Sequence, residues 1–228
     1  MDSGFLVKSC FLGLDMLSVD LPCAPERSQL KLALAIPTLR EAVNLPALLR
    51  GVRLPPGAQR QCGLSGAILH GWRHTDAAIL GVMDADLQHP PELLPRLVSA
   101  ILAGKDMAIG SRYVEGGRLG KWNPVRKFLS AAAVWATWPI QRAGIRAKDP
   151  MTGFFLVRRE CLDGIQFQPS GFKLLLEILV RGRIRSVEEV PLSFGLRSQG
   201  ASKANFKVGW DYAKLLARLY ADRFGFGG

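Results

Sequence analysis

Asp84, Asp86 and Gln88 alternate with single residues in Gly81–Glu92 (GVMDADLQHPPE), and all three carry oxygen in their side chains. If the chain stays extended there, the three point to one side, because strand side chains alternate with period 2. Hard oxygen ligands grouped in this way suit Mg²⁺ or Mn²⁺, usually shared with a substrate phosphate. The same turn has a plainer reading, in which Asp84 or Asp86 caps the helix that opens near Pro90. An isolated Asp-x-Asp does not decide between the two.

The elements around it place these residues at a sheet edge. Ala77–Met83 (AAILGVM) is an apolar run of strand length, so the acidic turn falls at a strand's carboxyl end, where open α/β sheets bind their ligands. Leu30–Pro37 reads as an earlier buried strand, and Ala42–Val52 as a helix with Leu45, Leu48, Leu49 and Val52 on one face. Gly63–Thr75 and Pro91–Ala103 have helical spacing, Lys105–Gly110 is a short strand, Gly171–Arg181 an amphipathic helix and Ser186–Phe194 a late strand. This alternation is that of an α/β domain, and 228 residues are enough for one.

Taken whole, MDADLQHPPE resembles the metal-binding motif of the family 2 glycosyltransferases, most of all the dolichol-phosphate (polyprenol-phosphate) mannose synthases. The resemblance implies a GT-A type fold with a mostly parallel central sheet. It also implies that Asp84, Ala85 and Asp86 meet the donor diphosphate, with Asp84, Asp86 and Gln88 as metal ligands. Pro37, Leu39 and Glu41 match the end of the family's first strand and would line the nucleotide pocket. Arg112, in Gly110-Ser-Arg-Tyr113, inherits a substrate-binding role. Lys148–Arg158 (KDPMTGFFLVR) is similar to a segment that would set Asp149 and Thr152 on the acceptor side, although Asp149-Pro150 also reads as a simple turn. Arg197 and Lys203, in a match to the R-x-x-G-x-S-K loop, would close over the diphosphate. Asp86, Arg112, Arg197 and Lys203 are thus the expected catalytic set.

The family's second strand, with its Asp-Asp-x-Ser motif for the base and ribose, has no counterpart. Only Arg53–Cys62 (RLPPGAQRQC) separates the first two helices, and at ~3.3 Å per strand residue it cannot hold two strands and a helix. A sheet lacking one or two strands is therefore expected. The nucleoside half of the donor site is missing or rebuilt.

A formal charge of +11 predicts a phosphate-rich partner. The cations are scattered and lack the aromatic-interleaved stripe of a nucleic-acid platform, so no nucleic-acid partner is expected. Phe128–Ile140 (FLSAAAVWATWPI), with its basic flanks, suits either a helix lying in a membrane interface or a buried one; at 13 residues it is too short to span. Lys207–Phe224, basic and amphipathic, is a second interfacial candidate. No run reaches the ~18 apolar residues of a membrane span. Residues 1–29 read as a weakly specified extension, 30–204 as the glycosyltransferase domain and 205–228 as the C-terminal helix. Cys10, Cys23, Cys62 and Cys161 form no C-x-x-C pair, which fits a reducing, cytoplasmic setting. His70 and His74 lack a third metal ligand and are assigned a structural role.

The expected reaction, from the resemblance, is inverting transfer of mannose from GDP-mannose to a dolichyl or polyprenyl phosphate. It would take place on the cytoplasmic face of a membrane that the protein touches peripherally, with a membrane-anchoring subunit as a further partner. Two other readings stay open: the same fold with another sugar nucleotide of the UDP-glucose type, and a non-catalytic member that binds lipid phosphate.

Overall fold

The Leu30–Pro37 run forms strand β3, buried along nearly its whole length, because LKLALAIP is apolar on both faces. It lies inside a seven-stranded sheet of order β1-β2-β3-β4-β6-β5-β7. The other strands are β1 (Phe5–Phe11), β2 (Leu14–Leu21), β4 (Ile79–Met83), β5 (Met107–Ser111), β6 (Phe154–Arg158) and β7 (Val187–Pro191). This is a computed structural model that describes residues 5–11, 14–21, 30–37, 63–84, 88–118, 124–142, 144–167, 173–193 and 206–225. The expected helix at Ala42–Val52 and the Pro-rich Arg53–Cys62 segment lie outside the described residues.

The sheet is mixed, where a mostly parallel one is expected from the sequence. Only β3–β4 and β5–β7 are parallel pairs; β1–β2, β2–β3, β4–β6 and β6–β5 are antiparallel. An apolar run signals a strand without giving its direction, and FFLVR at β6 is such a run. Because β6 runs against its neighbours, β3, β4, β5 and β7 all point their carboxyl ends the same way, and the amino end of β6 joins them there.

β1 and β2 lie on the outer side of β3. β2 pairs with β3 over eight residues, from Leu14↔Pro37 to Leu21↔Leu30. Since β4 occupies the other side of β3, the edge left to any additional strand is the one this N-terminal hairpin covers. The sequence shows no clean period-2 stripe there, because Lys8, Asp15 and Asp20 interrupt it.

Helices cover both faces. On one, α1 (Gly63–Arg73) and α4 (Leu174–Arg181) bury Ile68, Leu69, Trp72, Leu175 and Ile178 against β4, β5 and β6. On the other, a 3₁₀ turn at Pro91–Leu93 leads into α2 (Leu94–Leu102), which sets Leu97 and Ile101 against Leu34, Phe154 and Leu156. α3 (Pro124–Trp135) and α5 (Phe206–Phe224) complete the described helices. Leu215 and Leu219 of α5 pack on Ile140, Leu176 and Val180. The Tyr212 and Tyr220 hydroxyls donate to the Ala133 and Ala136 carbonyls. Among the described residues no helix is long and apolar enough to cross a membrane.

Part of the positive charge is structural. Arg158 donates to the Ile101 and Lys105 carbonyls at the end of α2, and Arg159 to those of Trp72 in the last turn of α1 and of Thr75 and Ala77 beyond it. Helix carboxyl ends present unpaired carbonyls and a partial negative charge, which these guanidinium groups satisfy. The His70 and His74 rings lie tilted against each other with centroids 4.3 Å apart, and the His74 Nδ1 lies 2.8 Å from the His70 carbonyl oxygen. Both histidines are thereby engaged within α1 and its end.

Candidate active site

Four strand ends meet at the carboxyl edge of the sheet. Asp84 follows β4, Arg112 follows β5, Pro37 closes β3, and the turn Asp149–Gly153 leads into β6. Asp84 does not cap the next helix. Pro90 is the N-cap residue, in extended conformation, and no side chain among the described residues caps that end. The helix-cap reading therefore fails for Asp84, whose carboxylate lies instead against Gly153.

Arg112 and Asp149 form a buried charged pair at this edge. The Arg112 backbone N–H and Nε donate to Oδ2 at 3.0 and 2.7 Å, and its NH2 group to Oδ1 at 2.7 Å. Asp149 is fully buried, and the Arg112 side chain is only 10% exposed. Desolvation pulls the Arg112 pKa down, but the hydrogen bonds and charge of Asp149, with smaller help from Tyr113 and Asp84, leave it raised overall. The guanidinium is thus held cationic and in one plane. Glu189 of β7 supports the pair from behind, accepting from the backbone N–H groups of Lys148 and Asp149 at 2.9 and 3.1 Å. The Asp149–Thr152 segment forms a turn, in which the Thr152 N–H donates to the Asp149 carbonyl and Thr152 is buried.

Lys173 brings a further cation. It occupies the N-cap position of α4 and donates from Nζ to the Met151 carbonyl at 3.2 Å. Burial pushes its pKa down to about 8, Arg112 adds to that, and Asp84 and Asp149 pull the other way. These dependences place its charge within electrostatic reach of both carboxylates. Tyr113, next to Arg112, is 2.9 Å from the Ser130 Oγ and so ties this edge to α3.

Of the residues singled out from the sequence, the structure brings Pro37, Asp84 and Arg112 to this one edge, with Gln88 and buried His89 just after the Asp84 turn. Leu39, Glu41, Ala85, Asp86, Arg197 and Lys203 lie outside the described residues. Lys173, Glu189 and Gly153 were not singled out. Lys173 did leave a signal: a cation at a helix N-terminus opposes the helix dipole and asks for another reason to be there.

The oxygen donors of Asp84 and Gln88 fit a hard divalent cation such as Mg²⁺ or Mn²⁺. Among the described residues no three His, Cys, Asp or Glu side chains stand together as a metal cluster, and Asp86, the other expected carboxylate, is not among them.

The sequence model of Glycosyl transferase family 2 matches residues 37–175. The dolichol-phosphate mannosyltransferase of Pyrococcus furiosus is 44% identical over 161 residues, which are 70% of this chain and 46% of that protein. Enzymes of the same name from Mycosarcoma maydis and Saccharomyces cerevisiae are 38% and 36% identical, and each aligns with 72% of this chain. The chain spans 46%, 56% and 62% of these three relatives. Among solved structures, glucosyl-3-phosphoglycerate synthase from Mycobacterium tuberculosis, in complex with UDP, is similar with a TM-score of 0.50. It is 18% identical and covers 79% of this chain and 59% of its own. That likeness is one of fold, an α/β fold of the GT-A type.

Proposed function

Because the chain belongs to glycosyl transferase family 2, we propose that it transfers mannose from GDP-mannose to a dolichyl or polyprenyl phosphate with inversion at the sugar. The observation that carries this reading is the meeting of Asp84 with the Arg112–Asp149 pair and Lys173 at one sheet edge. Relatives named dolichol-phosphate mannosyltransferase support mannose as the sugar and dolichyl phosphate as the acceptor.

The chemistry asks little of a general base. A phosphate monoester acceptor is already largely ionised at neutral pH, with a second pKa of about 6. What the site must supply is compensation for the charge that builds on the departing nucleoside diphosphate. Arg112, kept cationic and oriented by Asp149, presents a fixed positive group at the strand ends, and Lys173 adds a second near it. Enzymes of this family generally use a divalent cation. Here Asp84 and Gln88 would hold one, with Asp86; when bound it supplies Lewis-acid charge neutralisation of the diphosphate. Pro37, with Leu39 and Glu41, is proposed for the nucleotide pocket, and Arg197 and Lys203 for closure over the phosphates.

A membrane contact is proposed for α3. Val125, Phe128, Leu129 and Trp135 stand at helical spacing and are 61–73% exposed; Trp138 beyond them is 43% exposed. Exposed Lys127 lies within this stretch and exposed Arg142 just beyond it. An apolar, aromatic stripe beside cations suits the headgroup boundary of an anionic bilayer, and a lipid-linked acceptor has to be collected from such a surface. The proposed placement is peripheral, on the cytoplasmic face.

Incubating the protein with Mn²⁺, dolichyl phosphate and labelled GDP-mannose or UDP-glucose in parallel tests the reading. Mannosyl-phospholipid from GDP-mannose alone is the expected result. Glucosyl-lipid instead would reassign the donor. GDP-mannose that neither binds nor turns over on folded protein would refute the assignment.

A further inference from the structure

The β4–β6 ladder pairs Met83 with Phe154, and its next rung outward sets Asp84 opposite Gly153. A methyl group on Gly153 would lie 2.5 Å from the Asp84 Cγ, 2.8 Å from Oδ1 and closer still to Oδ2. Separations this short are essentially never found for a real Cβ. Gly153 is not among the glycines with positive φ, so what a side chain there would meet is the Asp84 carboxylate, with no backbone strain. The Asp84 carboxylate therefore rests on a bare α-carbon.

The turn that carries Gly153 is fastened on several sides. Asp149 is gripped by Arg112 and backed by Glu189, Lys173 donates to the Met151 carbonyl, and Thr152 Oγ1 accepts from the Phe154 N–H at 3.3 Å. A side chain at 153 cannot make room by moving this turn, so the carboxylate would have to swing away. We propose that Gly153 is a positioning residue for Asp84: the missing side chain is the slot that seats the carboxylate and sets its direction at the strand end. The importance of that direction rests on the reading of Asp84 as a cation ligand; the packing itself does not.

The test is a cycle of Gly153→Ala, Asp84→Ala and the double variant, read by Mn²⁺ titration calorimetry and by thermal unfolding without metal. Groups that orient a ligand typically change metal affinity by about 10–100-fold, and Gly153→Ala is expected to weaken Mn²⁺ binding within that range. It should also lower the Tm in the parent but not beside Asp84→Ala, where no carboxylate remains to displace. If Gly153→Ala alone does not fold, recovery of folding in the double variant supports the proposal. An equal loss of Tm in both backgrounds, or parental Mn²⁺ affinity in Gly153→Ala, overturns it. Should the parent bind no Mn²⁺, the cation reading of Asp84 fails, and the thermal cycle still decides whether Gly153 seats the carboxylate.

Discussion

Arg112 holds Asp149 by three hydrogen bonds, two of them from the two arms of one guanidinium and one from its own backbone N–H. The pair joins the end of β5 to the turn before β6, two segments 37 residues apart in sequence. Removing either partner leaves a charge in a site with almost no water. Asp149→Ala and Arg112→Ala are each expected to destabilise the fold by about 3–5 kcal/mol. The double variant should lose clearly less than the sum. Urea denaturation of the four proteins checks this; a loss under 1 kcal/mol for Asp149→Ala would contradict it.

The N-terminal hairpin should be required for solubility. β2 satisfies the outer edge of β3 through eight paired residues, and an uncovered edge of apolar sequence is a template for association. Deleting residues 1–21 is expected to yield aggregated protein on size-exclusion chromatography. A monodisperse, folded truncation would show that the hairpin is dispensable.

Phe128→Glu with Leu129→Glu should abolish sedimentation with anionic vesicles and leave the Tm unchanged. Both side chains are exposed, at 73% and 61%, so the folded core loses nothing. Undiminished vesicle binding would remove α3 from the membrane contact.

Lys173 gives stability a defined pH dependence. Its folded pKa is depressed to about 8, chiefly by burial, whereas a lysine in the unfolded chain titrates near 10.4. Stability linked to this group is therefore fully present above the unfolded value and is lost as pH falls from there through about 8. Denaturation at pH 7.5 and 9.5 checks it: the parent should gain on Lys173→Met at the higher pH. No change in their difference would contradict the assignment.

The strand at Leu30–Pro37 was legible to the residue, and β4 nearly so, because unbroken apolar runs of that length have few other uses. Asp84 and Arg112 were legible as strand-end residues for the same reason. The hairpin at residues 5–21 was not, since its polar residues break the alternation and its partner edge comes from elsewhere in the chain. Gly153 and Glu189 were invisible for a related cause. Their roles depend on β6 running antiparallel to β4 and on β7 lying beside β5, and neither direction nor neighbour is written in a local pattern. Helix α3 shows the opposite limit. Composition left a buried and an interfacial helix equally open, and exposure of Phe128 and Trp135 favours the second.

The most direct test of the whole account is transfer of labelled mannose from GDP-mannose to polyprenyl phosphate, with Mn²⁺, by the parent and by Asp84→Ala. The expected result is a mannosyl-phospholipid that forms with the parent, disappears on chelation and is lost in Asp84→Ala while the variant remains folded. Equal product from parent and variant would contradict the site, and no product from folded parent would contradict the reaction.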